Sequence, residues 1–157
     1  MGVVAVDRSG NLTDSAFYVV AVRKEIIQEH RGLEVRQTEF QFYMRRCKSL
    51  NYKEKISAAF IFEALRPIIR PGDSVEIDRD FLGYHADEVK LCLKRLLNKF
   101  KNSDPCIHFH SIRTNKGKKF VKEADKKSKL ARTKELRNPP VKKCPDLSAY
   151  IDALKKY

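Results

Sequence analysis

Four acids stand at positions where their type and setting could support metal chemistry: Asp7, Glu54, Asp78 and Asp125. Asp7 closes the apolar run Val3 to Asp7, and Asp78 closes SVEID, residues 74–78. Glu54 falls in the first turn of an uninterrupted helical stretch, and Asp125 falls early in a Lys-rich one. Carboxylates gathered at one corner repel one another unless cations compensate. Two Mg²⁺ or Mn²⁺ ions about 3.5–4 Å apart would do so, one activating water and the other stabilising the leaving oxygen of a phosphodiester. Ligands that are all oxygen favour those ions over zinc.

Each acid also has a plainer reading. Asp7 can serve as a turn residue ahead of Ser9-Gly10, and Glu54 as a first-turn acid favoured by the helix dipole. Asp78, with Glu76 and Asp80 nearby, can pair with Arg79, while Asp125 can be a surface acid. The chemical reading rests on all four meeting at one corner. Glu63 and Asp80 are the substitutes if the register differs.

The elements that must place them follow from the hydrophobic pattern. Val3 to Asp7 reads as a buried central strand, Ala16 to Val22 as a second, and Leu33 to Arg45 as a long third. Short links between them make an antiparallel meander. Lys53 to Leu65 lacks breakers and is apolar on most sides, so it predicts a helix packed on a sheet, stopped by Pro67 and Pro71-Gly72. Ser74 to Asp78 is a fourth strand. A helix from Gly83-Tyr84 to about Phe100, a fifth strand over Pro105 to Ile112, a basic loop (Arg113 to Lys119) and a Lys-rich helix to about Arg137 complete the body. Asp146 to Lys156 predicts a short tail helix capped by Asp146. The expected organisation is one domain over 1–137 and a C-terminal extension over 138–157, either mobile or folded onto the body.

A right-handed crossover puts the fourth strand parallel to the first and beside it. Open α/β sheets bind ligands at the carboxyl ends of strands where the order reverses. Asp7 and Asp78 sit at that switch point, one strand spacing of about 4.8 Å apart. The first helix begins at the same end, which places Glu54 there, and the Lys-rich helix brings Asp125.

The chain carries a net charge of +13, unevenly spread. Residues 111–157 hold 15 Lys or Arg against 5 Asp or Glu, so +10 lies in the last third. A polyanion is the natural partner, with phosphate contacts expected from Lys116, Lys118, Lys119, Lys126 and Lys129. The plain alternative is a Lys-rich solvated helix of the kind thermophiles carry. Cys47, Cys92, Cys106 and Cys144 have no paired spacing and read as reduced thiols. Cys106, His108 and His110 alternate on one strand face, a pattern that could hold a metal but more commonly just packs. With no signal-like leader and no apolar run long enough to cross a bilayer, the expected address is the cytoplasm or nucleoid, with no membrane partner.

Four segments resemble type 1 ribonucleases H, in the same order along the chain. VVAVDRSGN is similar to the family's opening strand and its first catalytic Asp, at Asp7. NYKEKISAAFIFEAL resembles the first-helix motif whose Glu, three places after the Asn, is a metal ligand, at Glu54. VEID resembles the following strand, ending in the ligand Asp78, and EADKKSKLAR resembles the last catalytic helix, which assigns Asp125. The resemblance implies a ribonuclease H-like α/β fold: a mixed five-stranded sheet, with a three-strand antiparallel meander and two parallel strands, flanked by helices. It also implies a two-metal nuclease acting on an RNA–DNA hybrid or on structured or branched nucleic acid.

Departures accompany it. Type 2 enzymes carry Glu after the first Asp and then Gly-Arg-Gly, where this chain has Arg8-Ser9-Gly10. The Asp125 segment has extra residues before Leu130-Ala131. The Asp-x-Ser-Gly opening is also similar to uncharacterised, transposon-associated members of the superfamily. A non-catalytic nucleic-acid-binding protein on this fold, or a scaffold module that inherited it, remains the alternative.

Overall fold

The computed structural model describes residues 2–10, 14–23, 29–47, 51–78, 85–110 and 119–155, of which 110 and 119–122 are described in the backbone alone. The elements are β1 (Val3–Ser9), β2 (Ala16–Arg23), β3 (His30–Arg36), α1 (Gln37–Arg46), α2 (Tyr52–Leu65), β4 (Ser74–Asp78), α3 (Ala86–Lys101), β5 (Ile107–His110), α4 (Lys119–Arg132), β6 (Lys142–Lys143) and α5 (Ser148–Leu154). They build one mixed sheet in the order β5-β4-β1-β2-β3-β6. β2 is antiparallel to β1 and β3, while β4 is parallel to both β1 and β5. The expected meander and the parallel placement of β4 beside β1 are both present.

Strand alternation divides the side chains between two layers. Val4 and Val6 of β1, Phe17, Val19 and Ala21 of β2, and Leu33 and Val35 of β3 enter the larger core with α1, α2, α3 and α5. Ala5, Tyr18, Val20 and Val22 point the other way, against Ala124 and Ala131 of α4 and Leu136 beyond it. Both faces of β1 and β2 are covered, which is why those strands read as unbroken apolar runs. The helix α2 is buried on nearly every side, as its composition requires.

The sequence reading differs from the structure in several places: β1 runs past Asp7 to Ser9, β3 begins at His30, α3 begins at Ala86, and β5 covers Ile107–His110 within the expected 105–112. The predicted strand over Leu33 to Arg45 ends at Arg36, and α1 takes over at Gln37. The segment allows both periods: Phe40, Phe42 and Met44 alternate as a strand would, but Phe40 and Tyr43 also stand at helical spacing. Tertiary packing selects the helix, because the Phe40 ring meets Phe17 at 6.0 Å and Phe60 at 6.2 Å, leaving Phe42 48% exposed.

The sheet has six strands instead of five. β6 is a two-residue parallel addition at the edge of β3, with Leu33 opposite Lys142 and Glu34 opposite Lys143. Two lysines carry no strand signal; an open row of backbone groups on β3 recruits them.

The Lys-rich helix stops at Arg132, not at about Arg137. Lys134 adopts the left-handed region at φ 62°. Its N–H donates to the Ala131 carbonyl at 3.1 Å and the Glu135 N–H to the Leu130 carbonyl at 2.8 Å, a pattern that closes a helix. Such a stop is normally marked by glycine, so composition hid it.

Of the two alternatives for the extension over 138–157, its described residues take the second and fold onto the body. Leu147, Tyr150, Ile151 and Leu154 join the larger core. The tail helix is shorter than expected, spanning Ser148–Leu154, yet Asp146 does serve its start: Oδ1 accepts the Ser148 N–H at 3.0 Å and the Ser148 hydroxyl at 2.6 Å.

Two buried ion pairs tie these layers together. Arg23 grips Asp73, with Nη1 at 3.2 Å from Oδ1, and Asp73 also accepts the Arg70 N–H at 2.6 Å. Burial pushes the Asp73 carboxyl up, but Arg23 and the backbone donors reverse this and hold it below its ordinary value. Glu63, only 1% exposed, accepts from Arg31 at 2.5 Å and from the Tyr150 hydroxyl at 3.1 Å. That substitute acid is therefore committed to joining α2, β3 and α5.

Candidate functional site

The residues Ala5, Asp7 and Ser9 share one face of β1, and Glu76 and Asp78 share the same face of β4. The register pairs Val6 with Ile77, so the next position along both strands sets Asp7 beside Asp78. Asp78 is the last residue of β4, whereas β1 runs two residues past Asp7 to Ser9, held there by pairing to β2; both acids lie just beyond the last β1–β4 pair and are nearly enclosed, at 3% and 5% exposure. Burial, then the negative charge of Asp78, pushes the Asp7 carboxyl from 3.8 up to about 8, against the opposing pull of the Arg8 N–H and the Ser128 hydroxyl. At neutral pH such a pair holds a proton, because two buried charges this close cannot both go uncompensated.

Helix α4 reaches the pair through a stripe of small residues. Ala124, Ser128 and Ala131 are fully buried at helical spacing, and their short side chains let the helix lie close on β1 and β2. Ser128 Oγ stands 3.1 Å from Asp7 Oδ2 and 2.8 Å from the Asp125 carbonyl oxygen. Arg8 is also close: burial lowers its guanidinium pKa, while the charges of Asp7, Asp78 and Asp14 pull it back up. Neither Ser128 nor Arg8 was singled out from the sequence. Ser128 was readable in retrospect as the inward neighbour of Asp125 one turn on; Arg8 gave no signal beyond adjacency.

The other two predicted ligands occupy different surroundings. Asp125 is one turn from Ser128 on α4, but its carboxylate pairs with Lys129 at 3.0 Å, and it is the backbone carbonyl that reaches Ser128. Glu54 is buried in α2, which lies on the opposite face of the sheet from Asp7. Its charge acts toward α3, where burial first, with Glu88 and Glu54 adding to it, pushes the Cys92 thiol up to about 11. Among the described residues, no three His, Cys, Asp or Glu side chains are grouped as a metal cluster. Glu54 and Asp125 do not form such a group with the Asp7–Asp78 pair, and Asp80 lies outside the described residues.

On the neighbouring strand, His108 is exposed and pairs in register with Glu76, while the backbone of His110 pairs with that of Asp78. Cys106 is exposed just before β5. Of the predicted phosphate contacts, Lys126 and Lys129 project from α4, pairing with Glu123 at 3.6 Å and Asp125 at 3.0 Å. Lys116 and Lys118 lie outside the described residues, as does the side chain of Lys119. Among the described residues, no helix is long and apolar enough to cross a membrane.

Comparison with known proteins found no matching family model, no matching curated protein and no matching solved structure.

Proposed function

We propose that this chain is a divalent-metal-dependent nuclease of the ribonuclease H-like type, with the Asp7–Asp78 pair at its centre. The observation that carries the reading is that pair: two buried carboxylates side by side on adjacent parallel strands, just past their last paired residues, with Asp7 pushed up by burial and then by the charge of Asp78. Evolution seldom keeps such a costly arrangement without a use. Its oxygen donors fit one Mg²⁺ or Mn²⁺, which when bound would neutralise the pair and lower the pKa of a coordinated water. A second ion would need a further carboxylate, for which Asp125, on the helix that delivers Ser128, and Glu54 are the candidates.

The chain's own residues have defined tasks in this reading. Ser128 orients the Asp7 carboxyl, and Arg8 supplies a fixed positive charge beside the pair that helps hold a phosphate nearby. Lys126 and Lys129 lie along the outer face of α4, where a nucleic-acid backbone approaching the pair would pass. The mixed sheet, with β4 parallel beside β1, supports the fold assignment that the sequence resemblance suggested.

A second reading is favoured by one observation. The Asp125 carboxylate is occupied by Lys129, and no third acid joins the pair among the described residues. A chain that keeps the basic surface with an incomplete acid set would bind nucleic acid without cutting it.

A cleavage assay separates the two. Labelled RNA–DNA hybrid, duplex DNA, single strands and four-way junctions are incubated with Mg²⁺ or Mn²⁺, the wild type beside Asp78→Asn. Cleavage of any of these that is lost in the variant supports the nuclease and names its substrate. Silence on all of them, with binding retained, moves the assignment to a non-catalytic binding protein.

A further inference from the structure

A second concentration of positive charge lies away from the acid pair, where α4 ends and β6 joins the sheet. Tyr18, Glu34, Lys134, Arg137, Lys142 and Lys143 line a groove of about 290 Å³ there. Four cations, two from the segment after α4 and two from β6, line it with one acid, and Glu39 nearby feels the charge of Lys143. Glu34 is already engaged, near the Tyr18 hydroxyl at 3.4 Å and Arg36 at 3.6 Å. Among the described residues, none of the four cations makes an ion pair, in contrast to Lys126 and Lys129 on α4.

Backbone geometry holds these charges in place. The helix-closing hydrogen bonds fix Lys134 in its left-handed conformation, and Arg137 Nη1 donates to the Lys134 carbonyl at 3.0 Å. Lys142 and Lys143 are clamped by pairing to β3, and the Cys144 N–H donates to the Glu34 carbonyl at 3.0 Å. Like charges gathered on rigid backbone repel one another, and a polyanion relieves that repulsion.

The groove opens on the same side of the sheet as the acid pair. Ser9 pairs with Tyr18, Tyr18 with Glu34, and Glu34 with Lys143. Lys143 is thus three strand spacings from β1, or about 14 Å. With a rise of about 3.4 Å per base pair, that separation corresponds to roughly four base pairs of duplex.

We propose that the groove formed by Lys134, Arg137, Lys142 and Lys143 is a sequence-independent phosphate subsite that seats nucleic-acid backbone roughly four base pairs from the Asp7–Asp78 pair. The identity of the polyanion rests on the proposed nuclease reading; the binding itself does not. The groove grips phosphates and reads no bases, so it sets where along a duplex the acid pair falls.

The test is duplex binding by fluorescence anisotropy across a salt series in EDTA, where cleavage cannot intervene. Two variants are compared with wild type: Lys134→Gln with Arg137→Gln, and Lys142→Gln with Lys143→Gln. Circular dichroism melts report whether each is folded, and because the two alter different elements, either one alone suffices. Each phosphate contact contributes about 0.9 to the slope of log K against log salt, so each double variant should flatten it by about 1–2. An unchanged slope in both folded variants overturns the proposal. So does binding of phosphatidylserine vesicles that the variants abolish while duplex binding stays intact. If Mg²⁺-dependent cleavage is absent yet the slopes flatten, the nuclease reading fails and the subsite stands; the reverse pattern sinks the subsite alone.

Discussion

Replacing Asp7 with Asn should stabilise the metal-free protein at alkaline pH, an unusual direction for a change at a buried polar residue. In the fold the Asp7 carboxyl titrates at about 8 instead of 3.8, through burial and then the charge of Asp78. Because the folded value is the higher one, the native state holds a proton that the unfolded chain has released. Its stability is therefore full below about pH 4, falls as pH rises from there to about 8, and levels off above that. At about 1.4 kcal/mol per pH unit, the whole displacement sets an upper bound of about 6 kcal/mol. The titration is shared with Asp78 and the site relaxes on ionising, so about 3 kcal/mol is a working figure. For a domain of this size that corresponds to roughly 6–12 °C in Tm. Asparagine stays neutral, and its side-chain oxygen can still accept from Ser128. Thermal melts of wild type and Asp7→Asn in EDTA, from pH 4 to 9, should coincide near pH 4 and separate steadily in favour of the variant. Adding Mg²⁺ at pH 8 should close much of the gap by stabilising the wild type alone. Parallel curves at every pH, or a variant less stable throughout, would refute the protonated-pair argument.

Two further outcomes follow from packing and charge. Asp73→Asn should cost about 3 kcal/mol at pH 7 in urea unfolding, because it leaves the buried Arg23 guanidinium with only the more distant Glu29, at 3.9 Å, as counter-charge. The folded Asp73 value lies below the ordinary one, so the wild type should lose this contribution as pH falls through the acid range, and the two proteins should converge there. Gly32→Val should cost about 1–3 kcal/mol by the same measurement. A Cβ at Gly32 already meets Leu136 at 3.0 Å and Val141 at 3.3 Å, and two further methyls would push the chain after α4 off β3.

Much of the sheet was legible because its signals are local. Val3 to Asp7 is an apolar run closed by an acid, Ser74 to Asp78 is a short strand closed by another, and the handedness of crossovers makes them neighbours. The switch from β3 to α1 was not legible, since residues 37–46 satisfy both periods and distant aromatic partners on β2 and α2 decide between them. β6 was invisible for the opposite reason: Lys142 and Lys143 have no strand preference of their own and are held by the edge of β3. At the candidate site, the neighbouring of Asp7 and Asp78 follows from the parallel register of β1 and β4, although β1 runs on to Ser9. Placing Glu54 required knowing which side of the sheet α2 covers, and alternation along β1 turns Asp7 to the other side. Ser128 enters only because small residues let α4 settle close to the sheet.

The hydrogen bond between Tyr150 and Glu63 spans 87 residues of sequence, and that interval is also an interval of time. At a synthesis rate of about 5–20 residues per second, α2 emerges roughly 4–17 s before the tyrosine that completes the hydrogen bonding of its buried glutamate. Arg31 is made earlier still, so it can shield the Glu63 charge from the start, and Tyr150 arrives to a partner already neutralised. The edge of β3 faces the same wait for Lys142 and Lys143. A nascent chain of this protein thus holds the β3 edge open for more than a hundred residues of synthesis, until Lys142 and Lys143 arrive to cover it.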